Sequence, residues 1–377
     1  MARNIEDRIA NLRARRFGLD RLSRLNEAAR SEVVFDSLSD EPWQTRAAGA
    51  GKPFTKYALG AMQEVGKRYT EISVETATRV GKQLETGLAN KGYSVDFRLQ
   101  GSVPLNVHIR GVSDVDLLTL DTSFYTYTKS GLRSQLGYYT SPTQRTSLGV
   151  ILELRAAAVP VLRDAFPAAD VDNAGGKAIC ISGGSLARSI DVVPSHWFDN
   201  ATYQQSGQEF DRSVTIADKK VPETIDNLPF LHIKKVHEAD LQTHGGMKKA
   251  IRLCKNVKAD ADSEIALPSF DIAAMMFHAD RTALTANQWY ELSVLAETQR
   301  FVDLLTLNET YAQTLMVPDG SRPIFNTRAK LDALRKLSIE LDDLTLQVAR
   351  EQDVLGRPVP NLGTGRQRLK DVLIPAL

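Results

Sequence analysis

The sequence predicts an α+β protein of two lobes, on three observations. β-prone segments cluster between residues 94 and 194, long helical patterns flank them, and the chain beyond Leu228 reads as helix almost to its end. With 377 residues, 42% of them hydrophobic and 25% charged, the chain has ample material for a large core in two or three domains or one bilobed unit.

Taken in order, residues 1–41 read as helices, because Ile5, Ile9 and Leu12 and then Leu19, Leu22 and Leu25 recur at helical spacing among mixed charges. Residues 42–53 read as a loop. From Thr55 to about Lys91 a single long helix is expected, with Tyr57, Met62, Val65, Tyr69, Ile72, Val80, Leu84 and Leu88 as its apolar stripe and Gly92 as its stop. Strands follow at SVDFRLQ and VDLLTLD, then a loop rich in Tyr and Thr, then a helix from about Leu148 to Phe166. VDVDN, KAICIS and SIDVVP read as strands, with the turn at residues 183–185 between the last two. Beyond Leu228, Pro318–Pro323 and Gly356–Gly365 interrupt the helices. The expected division is an N-terminal helical extension (1–54), a catalytic core (55–227) and a C-terminal helical domain (228–377).

Charge and cysteine content narrow the function. Lys and Arg number 47 against 46 Asp and Glu, so no global basic field is available to hold polynucleotide; a small ligand or a local basic patch fits better. Two cysteines far apart, Cys180 and Cys254, suit a reducing cytoplasm. The first residues lack an apolar core, so no signal peptide is expected, and no stretch approaches 18 apolar residues, so no membrane span is expected.

The chemistry concentrates in three places. Gly101-Ser102 directly follows a predicted strand and precedes VPLNV, where a short helix could start, since Pro104 is tolerated in a first turn. Backbone N–H groups and a hydroxyl at such a helix start suit a phosphate. Asp114-Val115-Asp116 opens the strand VDLLTLD, and residues two apart on a strand share a face. Two carboxylates so placed repel each other unless a cation joins them, and a hard ion such as Mg²⁺ fits their oxygens. Asp191, inside the apolar run IDVV, is a poor strand former unless it has a task. If its strand pairs beside the first, three carboxylates can hold two ions.

A turn with Gly-Ser, a dozen residues, Asp-x-Asp on a strand and a later strand with a single Asp resembles the polymerase-β-type nucleotidyltransferases. Within them the chain most resembles the bacterial cGAS/DncV-like enzymes. The resemblance spans roughly residues 55–300. It implies a bilobed nucleotidyltransferase fold, with a long spine helix on a mixed-sheet catalytic lobe and a helical second lobe. It implies Asp114, Asp116 and Asp191 as catalytic metal ligands for two Mg²⁺ or Mn²⁺ ions, and Gly101 and Ser102 on the triphosphate. It also places a triphosphate-touching lysine on the amphipathic segment 247–258, where Lys248, Arg252 and Lys255 share a face. Lys255 matches best and Lys248 second; without the resemblance, this is a solvated basic face. Ser269 on phosphate and Phe270 stacked on a base are implied likewise, although Ser269 also reads as an N-cap and Phe270 as core.

The implied reaction makes a cyclic di- or trinucleotide from nucleoside triphosphates, in bacterial anti-phage signalling. Its diffusible product would act on a separate effector protein. No nucleic acid or membrane partner is required, and there is room for a regulatory protein partner. The rival reading keeps the chemistry but transfers the nucleotide to an RNA end or a protein; a third makes the chain a nucleotide sensor, against which all three carboxylates count.

Other signals carry less. AGAGKP resembles a P-loop but has Arg46 and Pro53 at required positions, and the 183–187 turn resembles a nucleophile elbow without its closing Gly. His232, His237, His244 and Cys254 fit no zinc spacing. Trp43, Trp197 and Trp289 read as packing residues, and Tyr125, Tyr127, Tyr138 and Tyr139 flank a polar loop at the cleft edge or on the open surface.

Overall fold

The computed structural model describes residues 4–17, 31, 43, 51–109, 114–285, 289–353 and 355–374. Of the predicted N-terminal helices, Ile5–Phe17 is present; Leu19, Leu22 and Leu25, and most of the 42–53 loop, lie outside the described residues.

The single helix expected from Thr55 to Lys91 is two helices, Pro53–Met62 and Lys67–Ala89. Gln63 and Gly66 both leave helical backbone, with ψ of 147° and 143°. The apolar stripe continues across the break, but its halves serve different cores. Tyr57, Leu59 and Met62 join the core of the C-terminal helices. Val80, Leu84 and Leu88 pack under the sheet. One straight rod cannot face both, and Gly66 makes the interruption cheap.

Seven strands form one mixed sheet: β1 (Val95–Gln100), β2 (Val115–Tyr127), β3 (Asp170–Asp172), β4 (Ile179–Ser182), β5 (Ile190–Asp199), β6 (Ser213–Asp218) and β7 (Glu223–Asn227). Their order is β1-β2-β5-β4-β3. The β6–β7 hairpin joins the second half of β5, beyond the stretch that β4 covers. Among the described residues, only β2 and β5 run parallel; every other strand pair is antiparallel. β2 is longer than predicted. It continues through Tyr125 and Tyr127, past a bulge between Asp121 and Tyr125, because β5 pairs with it along its whole length. The β6–β7 hairpin was not foreseen.

Alternation along the central strands divides the sheet into two faces. Val115, Leu117, Ile190 and Val192 point into a core roofed by the helices Lys67–Ala89 and Ser147–Ala165. Leu118, Leu120, Val193 and Trp197 point the other way, toward Val214, Ile216 and Phe230. The period of two therefore assigns Asp116 and Asp191 to this second face. A larger core unites the C-terminal helices with Leu12, Trp43, the helix Pro53–Met62, and Leu105 and Val107. Among the described residues, no helix is long and apolar enough to cross a membrane.

Candidate active site

Asp116 and Asp191 are register partners across the one parallel pair of the sheet. Both are half-buried, and Asp114, one residue before β2, joins them in lining a cleft of about 640 Å³. The cleft opens on the second face of the sheet, beside the start of the C-terminal helices. The three acids predicted from separate segments are thus brought to one wall. They are neighbours rather than a closed cage: among the described residues, no three His, Cys, Asp or Glu side chains already stand at the spacing of a metal site.

The turn expected to bind phosphate departs from prediction. Residues 101–106 form hydrogen-bonded turns, not a helix start. Asn106 N–H donates to Val103 O at 3.0 Å and Val107 N–H to Ser102 O at 3.1 Å. Gly101 at φ +76° and Asn106 at φ +54° set the curl, which helical backbone cannot accommodate. Val103, Leu105 and Val107 are buried and pin the turn from below. Gly101 and Ser102 line the cleft next to Asp116.

The acids are electrostatically strained. Burial, reinforced by Asp191 and Asp114 and opposed by Lys255, pushes the Asp116 carboxyl up to about 7. Burial and then Asp114 also raise Asp191, against a hydrogen bond from the Cys180 thiol. Burial brings the Lys255 ammonium down to about 7, while Asp116 favours its charge.

Lys255 and Lys248 part company. The helix Gly246–Asp260 buries both its faces, so the solvated basic face read without the resemblance does not exist. Lys255, 3% exposed, lines the cleft and donates to Val107 O at 2.8 Å. Arg252 is spent on structure, donating to Met62 O and Asn106 O at 2.8 and 2.7 Å. Lys248 is not brought to the cleft; its ammonium lies 3.5 Å from Asp240, and its backbone N–H donates to the same carboxylate. About two turns of helix separate these lysines, enough to carry Lys248 past the cleft mouth.

Ser269 and Phe270 begin the helix Ser269–Met276 and line the cleft. Pro268 holds the N-cap position and no side chain caps the helix, so Ser269 is not the N-cap. Phe270 is not core: it is 39% exposed, stacked on His232 with ring centroids 4.2 Å apart. Burial holds His232 neutral, its value lowered to about 4.

Sequence reasoning missed His232, Lys177, Asp226, Asp319 and Arg322, which also line the cleft. Arg322 is anchored by Asp271 at 2.5 Å. Asp319 and Arg322 sit in the Pro318–Pro323 interruption, legible only as a break in helix. Tyr125 and Tyr127, at the end of β2, and Tyr138 and Tyr139 beyond it are absent from the cleft lining; Tyr127 and Tyr139 stack on each other at 4.0 Å. Trp43 and Trp197 are packing residues as expected, but Trp289 is 40% exposed.

No known family profile matches the chain. It is 44% identical over 365 residues to a cyclic dinucleotide synthase CdnE of Yersinia aleksiciae, covering 93% of each protein. It is 29% identical over 318 residues to a c-di-GMP synthase of Capnocytophaga granulosa, covering 80% of this chain and 88% of that one. The solved structure of a STING-associated CdnE c-di-GMP synthase from Capnocytophaga granulosa matches with a TM-score of 0.68 at 25% identity, over 91% of this chain and 97% of that one.

Proposed function

Because the chain belongs to the CdnE cyclic dinucleotide synthases of the cGAS/DncV-like nucleotidyltransferase family, we propose that it joins two nucleoside triphosphates into a cyclic dinucleotide. The observation that carries this is the pairing of Asp116 with Asp191 across β2 and β5, beside the Gly101-Ser102 turn.

Three carboxylates with hard oxygen donors, two of them raised by burial and by one another, fit Mg²⁺ or Mn²⁺. Asp114 and Asp116 would hold both ions and Asp191 the one beside the attacking hydroxyl. When bound, such a pair acidifies that hydroxyl and offsets charge on the α-phosphate and leaving pyrophosphate.

The rest is positioning. Gly101 and Ser102 offer backbone N–H groups and a hydroxyl to the triphosphate. Lys255 and Ser269 approach it from the helical lobe, and Phe270, stacked on His232 with the Arg322 guanidinium over its ring, would offer its exposed part to a base. Asp191 is placed to take the proton of the incoming ribose hydroxyl. In-line transfer asks little more of the protein than alignment and charge balance. A second transfer in the same cleft closes the ring. The product would act on a separate effector in anti-phage signalling, a context supported by the STING association of a similar synthase.

Mass spectrometry of products from all four ribonucleoside triphosphates with Mg²⁺ or Mn²⁺ tests the proposal. GTP is the first candidate, since several relatives are c-di-GMP synthases. A phosphatase-resistant cyclic dinucleotide is expected. Labelled RNA or protein, with no small product, would overturn the reading in favour of another acceptor.

A further inference from the structure

The polar row that contains the acids extends across the sheet. Gln100 faces Asp116, Asp116 faces Asp191, Asp191 faces Cys180, and Cys180 faces Asp172. Ile179 and Ile181, on either side of Cys180, are fully buried in the core beneath the helices, as are Ile190 and Val192 beside Asp191. By strand alternation, the Cys180 thiol and the Asp191 carboxylate share the opposite face. The thiol is half-buried and stands directly across the strand pair from Asp191. Asp172, on the far side of Cys180, is turned to its own loop, where its Oδ1 accepts from Ala174 N–H at 2.7 Å.

We propose that Cys180 is a positioning residue whose S–H donates to Asp191 and holds that carboxylate facing Asp116. Asp114 and Asp116 both repel Asp191, and free rotation of its side chain would relieve the repulsion by turning it away. A neutral donor from the outer strand opposes that turn. A weak neutral donor suits the place. It orients the carboxylate, leaves its charge whole and occupies a single lone pair, whereas a lysine would compete with a cation.

The inference rests on Asp191 being the third acid of the proposed reaction, and the experiment separates the two. Mn²⁺ binding without nucleotide is measured by calorimetry on wild type, Cys180→Ala, Cys180→Val and Cys180→Ser, beside thermal unfolding of each metal-free protein. The two donor-free variants should bind Mn²⁺ about tenfold more weakly, the lower end for losing a group that orients a ligand. Cys180→Ser, which keeps a donor, should recover most of that loss. Equal losses in Ser and Ala, or wild-type binding in Ala and Val, would overturn the positioning role. Asp191→Asn tests the reading beneath it: product formation must disappear, and its survival would sink the proposed function together with this inference. If Asp191→Asn is inactive while Cys180→Ala binds Mn²⁺ normally, only the role of Cys180 fails.

Discussion

Gly101 and Asp116 meet backbone against carboxylate: a Cβ at position 101 would overlap Oδ2 of Asp116. Gly101 also sits at φ +76°, so two independent constraints exclude a side chain there. Gly101→Ala should cost about 1–2 kcal/mol in backbone strain. It should also displace the carboxylate, and an ångström of misplacement is worth about a hundredfold in rate. Product formation with a Tm measurement checks this: turnover should collapse while the protein still folds. Near-normal turnover would mean that Asp116 need not stand where it does.

The raised Asp116 carboxyl sets a pH dependence. Its value in the folded protein, about 7, lies above the ordinary 3.8, so between these limits the native state holds a proton that the unfolded chain has released. Stability of the metal-free protein at this site therefore falls as pH rises through that window. A divalent ion must displace the proton, so apparent Mn²⁺ affinity should drop about tenfold per pH unit below 7. Calorimetry in buffers of different ionisation enthalpy should show proton release on binding at acid pH, fading at alkaline pH and diminished in Asp116→Asn.

Lys255 and Lys248 should separate in kinetics. A charge-assisted hydrogen bond to phosphate is worth about 1.5–3 kcal/mol, so Lys255→Met should raise the triphosphate KM by roughly ten- to a hundredfold. Lys248 pairs with Asp240 and does not line the cleft, so Lys248→Ala should leave KM within about twofold. Initial rates over a triphosphate concentration series decide; the opposite ranking would reassign the phosphate contact.

Phe270 is 39% exposed, stacked on His232 with the Arg322 guanidinium 5.5 Å from its ring centre. Base stacking is worth about 1–3 kcal/mol, so Phe270→Ala should raise KM by about five- to a hundredfold, with little change in Tm because the ring is largely outside the core. Phe270→Tyr should retain most of the affinity. A Phe270→Ala enzyme with unchanged KM would place the base elsewhere.

Much of the site was legible along the chain because charge in an apolar strand is conspicuous. Asp116 and Asp191 each interrupt a run of Val, Leu and Ile, and Gly101-Ser102 follows at the end of a strand. What failed was local geometry that neighbours decide. The break at residues 63–66 leaves the apolar stripe uninterrupted; only the existence of two cores divides it. The β6–β7 hairpin pairs with the half of β5 that β4 leaves uncovered, a vacancy with no trace in its own residues. The turn at 101–106 is held by burial of Val103, Leu105 and Val107 in three dimensions.

By itself, then, the sequence determined the three acids that stand out, the α+β class and the alternation that puts Asp116 and Asp191 on one face of their strands, because residue chemistry and strand period are local properties. Tertiary structure decided which distant strands pair, and so that Asp116 meets Asp191. It decided that Lys255 enters the cleft while Lys248 does not, and that Phe270 stands exposed on His232. Those outcomes depend on how two lobes pack and on which side chains lose water together, and neither is written in any single segment.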